Sequence, residues 1–193
     1  MPARPTAQLS EISQYPWQKR RDYLLLVAAV AAADGSLQKG ELALLNRWMD
    51  SFNLPKNSRK LVLSAAKRRP LPLKNIQRRM AKTDLVYSLM LDMMGMAMAD
   101  GVLQDREVDL LREVAGNLEI GQIEFRILIE FVHSTHQASQ LSNPEPLYEH
   151  NIDSAFQLLR ARKVRLFPHT LLCATSRDFD GKLKKRWMRF RGK

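Results

Sequence analysis

The sequence repeats itself at an offset of 66 residues, and this repeat constrains the fold more than any other feature. Ala31–Leu45 and Ala97–Leu111 are identical at nine of their fifteen positions. The similarity continues more weakly on both sides of this stretch, where for example Leu54 aligns with Ile120. A small unit with one apolar stripe per helix cannot bury a core alone, whereas two such units packed together can.

Each copy is predicted to form three helices. In the first copy the helices run from about Pro16 to Ala33, from about 37 to 52, and from Asn57 or Ser58 onward. Apolar residues recur in the second helix at helical spacing, not at the alternating spacing of a strand. The second copy is predicted to start at Thr83 or Asp84 and to close near His136, with a short connecting helix between residues 68 and 79.

The predicted fold is all-α, with duplicated three-helix units packed as a pseudo-two-fold helical bundle. The predicted organisation is an N-terminal tail over 1–14, a helical domain over 15–138 and a basic C-terminal extension over 139–193. The repeat units of the domain are residues 15–68 and 84–136, and the extension is predicted to contain one helix, from about Leu147 to Arg162.

The net charge of +11 is unevenly distributed. Residues 56–82 hold ten Lys and Arg and no acid, and residues 143–193 carry a net +7, which leaves −6 for the rest of the chain. The apolar run Tyr23–Ala33 follows three bases and so imitates a secretory signal, but it is too short to span a bilayer and has a copy in mid-chain. We therefore expect a cytoplasmic protein without a transmembrane segment, with peripheral attachment to a membrane as an option.

Both copies carry the pattern Asp-Gly-x-Leu-Gln-x-x-Glu at the junction of their first two helices. This spacing fits the second half of an EF-hand calcium loop, whereas the first half lacks its ligands. We therefore interpret each turn as an incomplete oxygen site for a divalent cation. The missing ligands would come from the other turn, if both share one ion, or from water. The alternative is structural, because Asp-Gly is a common turn pair and Glu is favourable in the first turn of a helix. The residues concerned are Asp34, Glu41, Asp100 and Glu107 as metal ligands, with Gln38 and Gln104 supporting them.

The doubled Ala-Asp-Gly-x-Leu-x-x-x-Glu turn resembles the signature of TerB-like domains, over residues from about 16 to 136. That family includes the tellurite-resistance protein and the N-terminal domain of some membrane-anchored DnaJ-like co-chaperones. The resemblance implies an all-helical duplicated fold, divalent-metal binding through the four acids named above, and a role in stress response or as an adaptor for protein partners. Calcium and magnesium are the expected cations. Tellurite resistance itself does not follow from the resemblance, because one fold serves many functions.

The C-terminal segment suggests an alternative function. Bases interleaved with Phe179, Trp187 and Phe190 suit contact with a nucleic acid or an anionic membrane surface, together with the basic segment 56–82. The interpretation we favour over specific nucleic-acid binding is a solvated or docked tail whose aromatic rings cover the body of the protein, or a protein partner. The residues predicted to contact an anionic partner are Lys182, Lys184, Lys185, Arg186, Trp187, Arg189 and Arg191.

The sequence contains no motif that predicts an enzyme. It lacks a Gly-rich phosphate loop, a Gly-x-Ser-x-Gly elbow and a His-Glu-x-x-His pair. A metal-dependent hydrolase is a distant alternative, since no general base can be named. His133 and His136 have a spacing that could bring both to one ion, but such a lone pair is usually structural. The methionines between 90 and 98 are expected to fill the core.

Overall fold

The computed structural model describes residues 11–32, 39–67, 73–98, 103–141, 146–164 and 177–191, with the side chains of the last segment described at 181–189. All regular structure within these ranges is helical, which confirms the predicted all-α class. No helix in them is both long enough and apolar enough to cross a membrane. The chain divides into two compact units, Met1–Leu71 and Pro72–Lys193.

The first unit contains a short 3-10 helix and three α-helices. The 3-10 helix is Glu11–Gln14, followed by α1 Trp17–Ala31, α2 Lys39–Ser51 and α3 Lys56–Ala65. Helix α1 contacts the other three elements, and an unbroken buried run in its middle supplies much of the core of this unit. Tyr23 of α1 meets Phe52, with their ring centroids 5.5 Å apart in an edge-to-face arrangement.

The second unit contains six helices among its described residues. They are α4 Lys74–Ala81, α5 Val86–Ala97, α6 Asp105–Asn117, α7 Gln122–Gln140, α8 Pro146–Ala161 and α9 Arg177–Arg191. Helix α7 contacts α5, α6 and α8, α4 contacts α6, and α9 contacts α8. Every residue of α5 except Tyr87 is buried, including the polar Ser88 and Asp92, and the other buried residues are apolar or glycine.

The element bounds repeat at the sequence offset of 66 residues. Helices α2 and α6 start and end at aligned positions, α1 and α5 end at aligned alanines, and α3 and α7 start at aligned residues. The backbone after α2 and α6 also matches, because Asn53 and Glu119, which are aligned, both have positive φ. The sequence repeat is therefore accompanied by a repeat of local structure.

Two predicted helix starts differ from the structure because proline provides the cap. Pro16 and Pro55 are the N-cap residues of α1 and α3, with ψ of 141° and 147°. Proline has a preset φ and no N–H to leave unsatisfied, so it suits this position. Helix α3 therefore begins at Lys56, before the predicted caps Asn57 and Ser58, and Ser58 is buried within the helix.

The predicted C-terminal extension, residues 139–193, belongs to the second compact unit. It contains two helices, α8 and α9, where the sequence predicted only the first. Helix α7 continues to Gln140, beyond the expected end near His136. The connecting helix predicted between residues 68 and 79 is observed as α4, Lys74–Ala81.

Candidate functional site

The acidic turn of the second copy is described from Leu103 onward, at the start of α6. Gln104 is the N-cap of this helix, with an extended backbone conformation. Its amide N–H donates a hydrogen bond to Oε2 of Glu107, over 2.9 Å. Glu107 is thus the third residue of α6 and its carboxylate helps to cap the helix, which is the structural role that the sequence allowed as an alternative.

The first copy places its glutamate in the same way. Glu41 is the third residue of α2, and both Glu41 and Glu107 are half-buried. Three other predicted site residues, Asp34, Gln38 and Asp100, lie outside the described residues. Among the described residues, no three His, Cys, Asp or Glu side chains lie close enough together to hold a metal ion. The two glutamates are therefore the part of the predicted metal site whose position the structure gives.

A cluster of three side chains, which no sequence pattern predicted, joins the ends of three helices in the second unit. The Tyr87 hydroxyl, at the start of α5, donates to Oε2 of Glu124 over 3.0 Å. The Gly121 amide donates to the same oxygen over 3.1 Å, which caps α7. Arg162, just after α8, donates from Nε to Oε1 over 2.6 Å and from Nη2 to the same atom. We call Tyr87, Glu124 and Arg162 the carboxylate cluster.

The ionisation of the carboxylate cluster follows from these contacts. Partial burial raises the pKa of Glu124, but the hydrogen bonds from Arg162, the Gly121 amide and Tyr87 outweigh burial and hold the pKa below its usual range. Burial, with the hydrogen bond to Glu124 and the negative charge of that residue, raises the pKa of Tyr87 to about 12. Tyr87 is therefore a hydrogen-bond donor at neutral pH. The cluster has the properties of a structural link between helices.

Helix α9 is attached to the second unit by its apolar face. Trp187 is 2% exposed and its ring centroid lies 5.3 Å from that of Phe156 on α8, which in turn lies 5.8 Å from that of Phe131 on α7. Arg186 pairs with Glu149 and Asp153 of α8, the second at 2.8 Å. The Trp187 ring is thus inside the unit, and the predicted contact of this ring with an anionic partner is replaced by packing against α8.

The remaining predicted contacts of α9 divide into two groups. Arg191 belongs to the helix, but its side chain lies outside the described part of the chain, as does that of Phe190. The other bases face solvent and lie on one side of the helix beside Met188, which is 56% exposed. We call this surface the basic face; its exposed bases are Lys182, Lys184, Lys185 and Arg189.

A cavity of about 310 Å³ lies between the end of α5 and the middle of α7. Met94 of α5 and Met98, the residue directly after α5, line it together with His133 of α7. The two methionines are buried, as core-filling residues should be, whereas His133 is exposed. His136, three residues further along α7, is not part of the described cavity wall.

The second copy of the repeat matches a known protein family. Residues 73–128 match the family model described as tellurite resistance protein TerB. The match runs from the start of α4 into α7 and includes the second Asp-Gly turn and Glu107, while the first copy lies outside it. The chain matches no curated protein and no solved structure. The predicted resemblance is thus confirmed for residues 73–128, which are similar to the TerB family.

Proposed function

We propose that this chain is a non-enzymatic adaptor that binds a divalent cation through its acidic turns and acts through a protein partner, in a stress response of the kind that the TerB family name implies. The observation that carries the proposal is the equal placement of Glu41 and Glu107. Each is the third residue of its helix and each follows an Asp-Gly pair by the same spacing. Such agreement between two copies is expected of a repeated site.

The donor set favours a hard cation. The proposed ligands are the carboxylates of Asp34, Glu41, Asp100 and Glu107, and carboxylate oxygen is the ligand that calcium and magnesium prefer. The capping bond of Glu107 uses Oε2, and a carboxylate has several lone pairs on two oxygens. Capping and metal coordination by the same residue are therefore chemically compatible.

The test is titration calorimetry of chelator-treated full-length protein with calcium, magnesium, zinc and manganese. Two variants separate the roles of the acids: Asp34→Ala/Asp100→Ala removes both turn carboxylates, and Glu107→Gln keeps an oxygen for the cap but removes the charge. Glu113→Gln, an exposed acid on the same helix, is the matched control. We expect saturable binding that both test variants weaken and the control leaves unchanged, with helicity retained in all. If the native protein binds no ion, or binds it as well in both test variants, the proposal is wrong and the acids only cap helices.

A second candidate function rests on the basic face, whose four exposed bases lie on one helix with no acid among the exposed side chains described there. Like charges along one side of a helix repel each other, so binding of an anionic partner would reduce this repulsion. The candidate is a protein that binds a nucleic acid or an anionic surface. Fluorescence anisotropy with a labelled DNA duplex tests it, and we expect Lys182→Gln/Lys185→Gln/Arg189→Gln to weaken binding. Equal binding by this variant would exclude the basic face as the site.

A further inference from the structure

The cavity between α5 and α7 has the properties of a small-ligand site. Leu103 of the second acidic turn lines it, but none of the four proposed metal ligands and no residue of the basic face is among its described lining residues. We propose that the cavity binds an aromatic group that carries a positively charged amine. Its volume of about 310 Å³ is at the lower end of the range of small-molecule pockets in proteins. A space of this size suits one aromatic ring with a short chain.

The wall of the cavity favours an aromatic occupant. Its apolar lining residues are Met94, Met98, Leu103, Ile129 and Val132, of which Leu103 and Ile129 keep the largest exposed fractions and the other three are almost completely buried. Thioethers are polarizable and adapt their shape, and sulfur makes favourable contacts with aromatic ring edges. Met94, in the last turn of α5, and Met98, its C-cap residue, are four residues apart and both line the cavity.

The rim of the cavity favours a cation. Among the lining residues that the structure describes, Glu130 and His133 are the polar ones, and both are exposed. Within the described part of the chain, the Glu130 carboxylate forms no hydrogen bond or ion pair, although Arg126 lies one turn earlier on α7 and lines a neighbouring cavity with it. An apolar wall beside such a carboxylate fits a ligand with a ring at one end and an ammonium group at the other. The imidazole of His133, when neutral, can accept a second hydrogen bond from that group.

The test uses the full-length protein labelled with ¹³C in the methionine methyl groups, so that Met94 and Met98 report directly from the cavity wall. Three probes of matched size differ in charge: 2-phenylethylamine, 2-phenylethanol and 3-phenylpropionate. We expect saturable shifts of the Met94 and Met98 signals with affinities in the order amine, alcohol, carboxylate. Met188, exposed on α9, serves as the internal control and should not shift.

Variants test the role of the carboxylate. Glu130→Gln should lower the affinity for the amine about 2–5-fold, the range of an exposed ion pair, and leave the affinity for the alcohol unchanged. Glu113 is an exposed acid outside the described cavity wall, so Glu113→Gln should change neither the affinity for the amine nor that for the alcohol. The proposal is overturned if the Met94 and Met98 signals do not move up to the solubility limit of the amine, or if all three probes bind equally.

The same chemistry can come from a free amine or from a protein segment with neighbouring aromatic and basic side chains. N-acetyl-phenylalanyl-lysinamide presents the ring and the cation as part of a peptide backbone. Comparison of this dipeptide with 2-phenylethylamine in the same titration identifies the source by the stronger binder. Binding of neither compound overturns the proposal.

Discussion

Glu124 accepts hydrogen bonds from three separate parts of the second unit. Its two carboxylate oxygens accept hydrogen bonds from the start of α5, from the backbone at the start of α7 and from the segment after α8. A negative charge at the N-terminus of a helix is favourable, and so is a charge-assisted bond from arginine. One side chain therefore links three helix ends that are far apart in sequence.

Replacement of this carboxylate tests the link. Glu124→Gln keeps an oxygen for the Gly121 amide but loses the charge that pairs with Arg162, which is about half exposed. We expect the free energy of unfolding to fall by about 1 kcal/mol, a discounted value because the pair is partly in solvent. Urea unfolding measures it, with Glu130→Gln on the same helix as control. A loss no larger than that of the control would show that the cluster does not stabilise the fold.

The contribution of this link to the free energy of unfolding changes with pH in two ranges, one acidic and one alkaline. The pKa of Glu124 is lower in the folded state, so its contribution is present above the unfolded pKa and is lost as pH falls through the folded pKa. The pKa of Tyr87 is raised to about 12, so its contribution is present below the unfolded pKa of about 10 and is lost as pH rises towards 12.

The alkaline limb can be measured directly. Absorbance titration of the native protein minus that of Tyr87→Phe should isolate a phenol that ionises near pH 12, and Tyr148→Phe provides a matched control. A difference curve with its midpoint near pH 10 would show that the hydrogen bond from Tyr87 to Glu124 does not form in solution.

Helix ends are the elements at which this sequence departs from the usual residue choices. Helices α2, α6 and α8 end in the same way, with a buried apolar residue whose amide bonds back into the last turn. The residue before it has positive φ in each case, 47° at Asn53, 62° at Glu119 and 53° at Lys163. Glycine is the common choice at this position of a Schellman motif, and asparagine is an accepted second choice. Glu119 and Lys163 therefore bear a conformational cost.

Relief of this cost should stabilise the protein. Glu119→Gly removes a side chain from a left-handed position, and we expect the free energy of unfolding to rise by about 0.5–1 kcal/mol. Glu113→Gly is the matched control, because it makes the same exchange at an exposed position inside α6, where glycine costs about 1 kcal/mol. Thermal and urea unfolding of the two variants should thus shift in opposite directions. A decrease for both would contradict the assigned backbone conformation.

These elements show what the sequence could and could not predict. The repeat predicted the helix order and the matching ends of α2 and α6, because identical residues make the same local contacts. The first-turn positions of Glu41 and Glu107 were the structural alternative to metal binding in the sequence, and the structure places both residues there. The carboxylate cluster was not predictable, since Tyr87 and Arg162 lie 37 and 38 residues from Glu124 and meet it only through packing. Trp187 was ambiguous, because an amphipathic basic helix presents the same pattern whether its aromatic side faces a partner or its own core.

At the scale of the whole molecule, the main property is the separation of charge along the chain. Two basic segments, 56–82 and 143–193, together carry +17, and the remainder carries −6. Several of these bases are neutralised locally, as when Arg59 pairs with Asp50 and Arg186 with two acids of α8. The exposed bases of the basic face have no such acid among the described residues of their own helix surface. The affinity for an anionic polymer should therefore depend on where the basic residues lie and not only on the net charge of the protein.

This dependence gives the final prediction. The affinity of a cationic surface for duplex DNA falls with salt, with a slope of log K against log salt of about −0.9 per phosphate neutralised. If the basic face is the contact, Lys182→Gln/Lys185→Gln/Arg189→Gln should reduce the magnitude of the slope by about 2–3. Lys19→Gln/Arg47→Gln/Arg126→Gln lowers the net charge equally, from +11 to +8, at exposed positions outside both basic segments, and should leave the slope nearly unchanged. Equal slopes for the two variants would mean that binding follows net charge alone, in which case the exposed bases of α9 have no special role and the acidic turns become the better place to look for function.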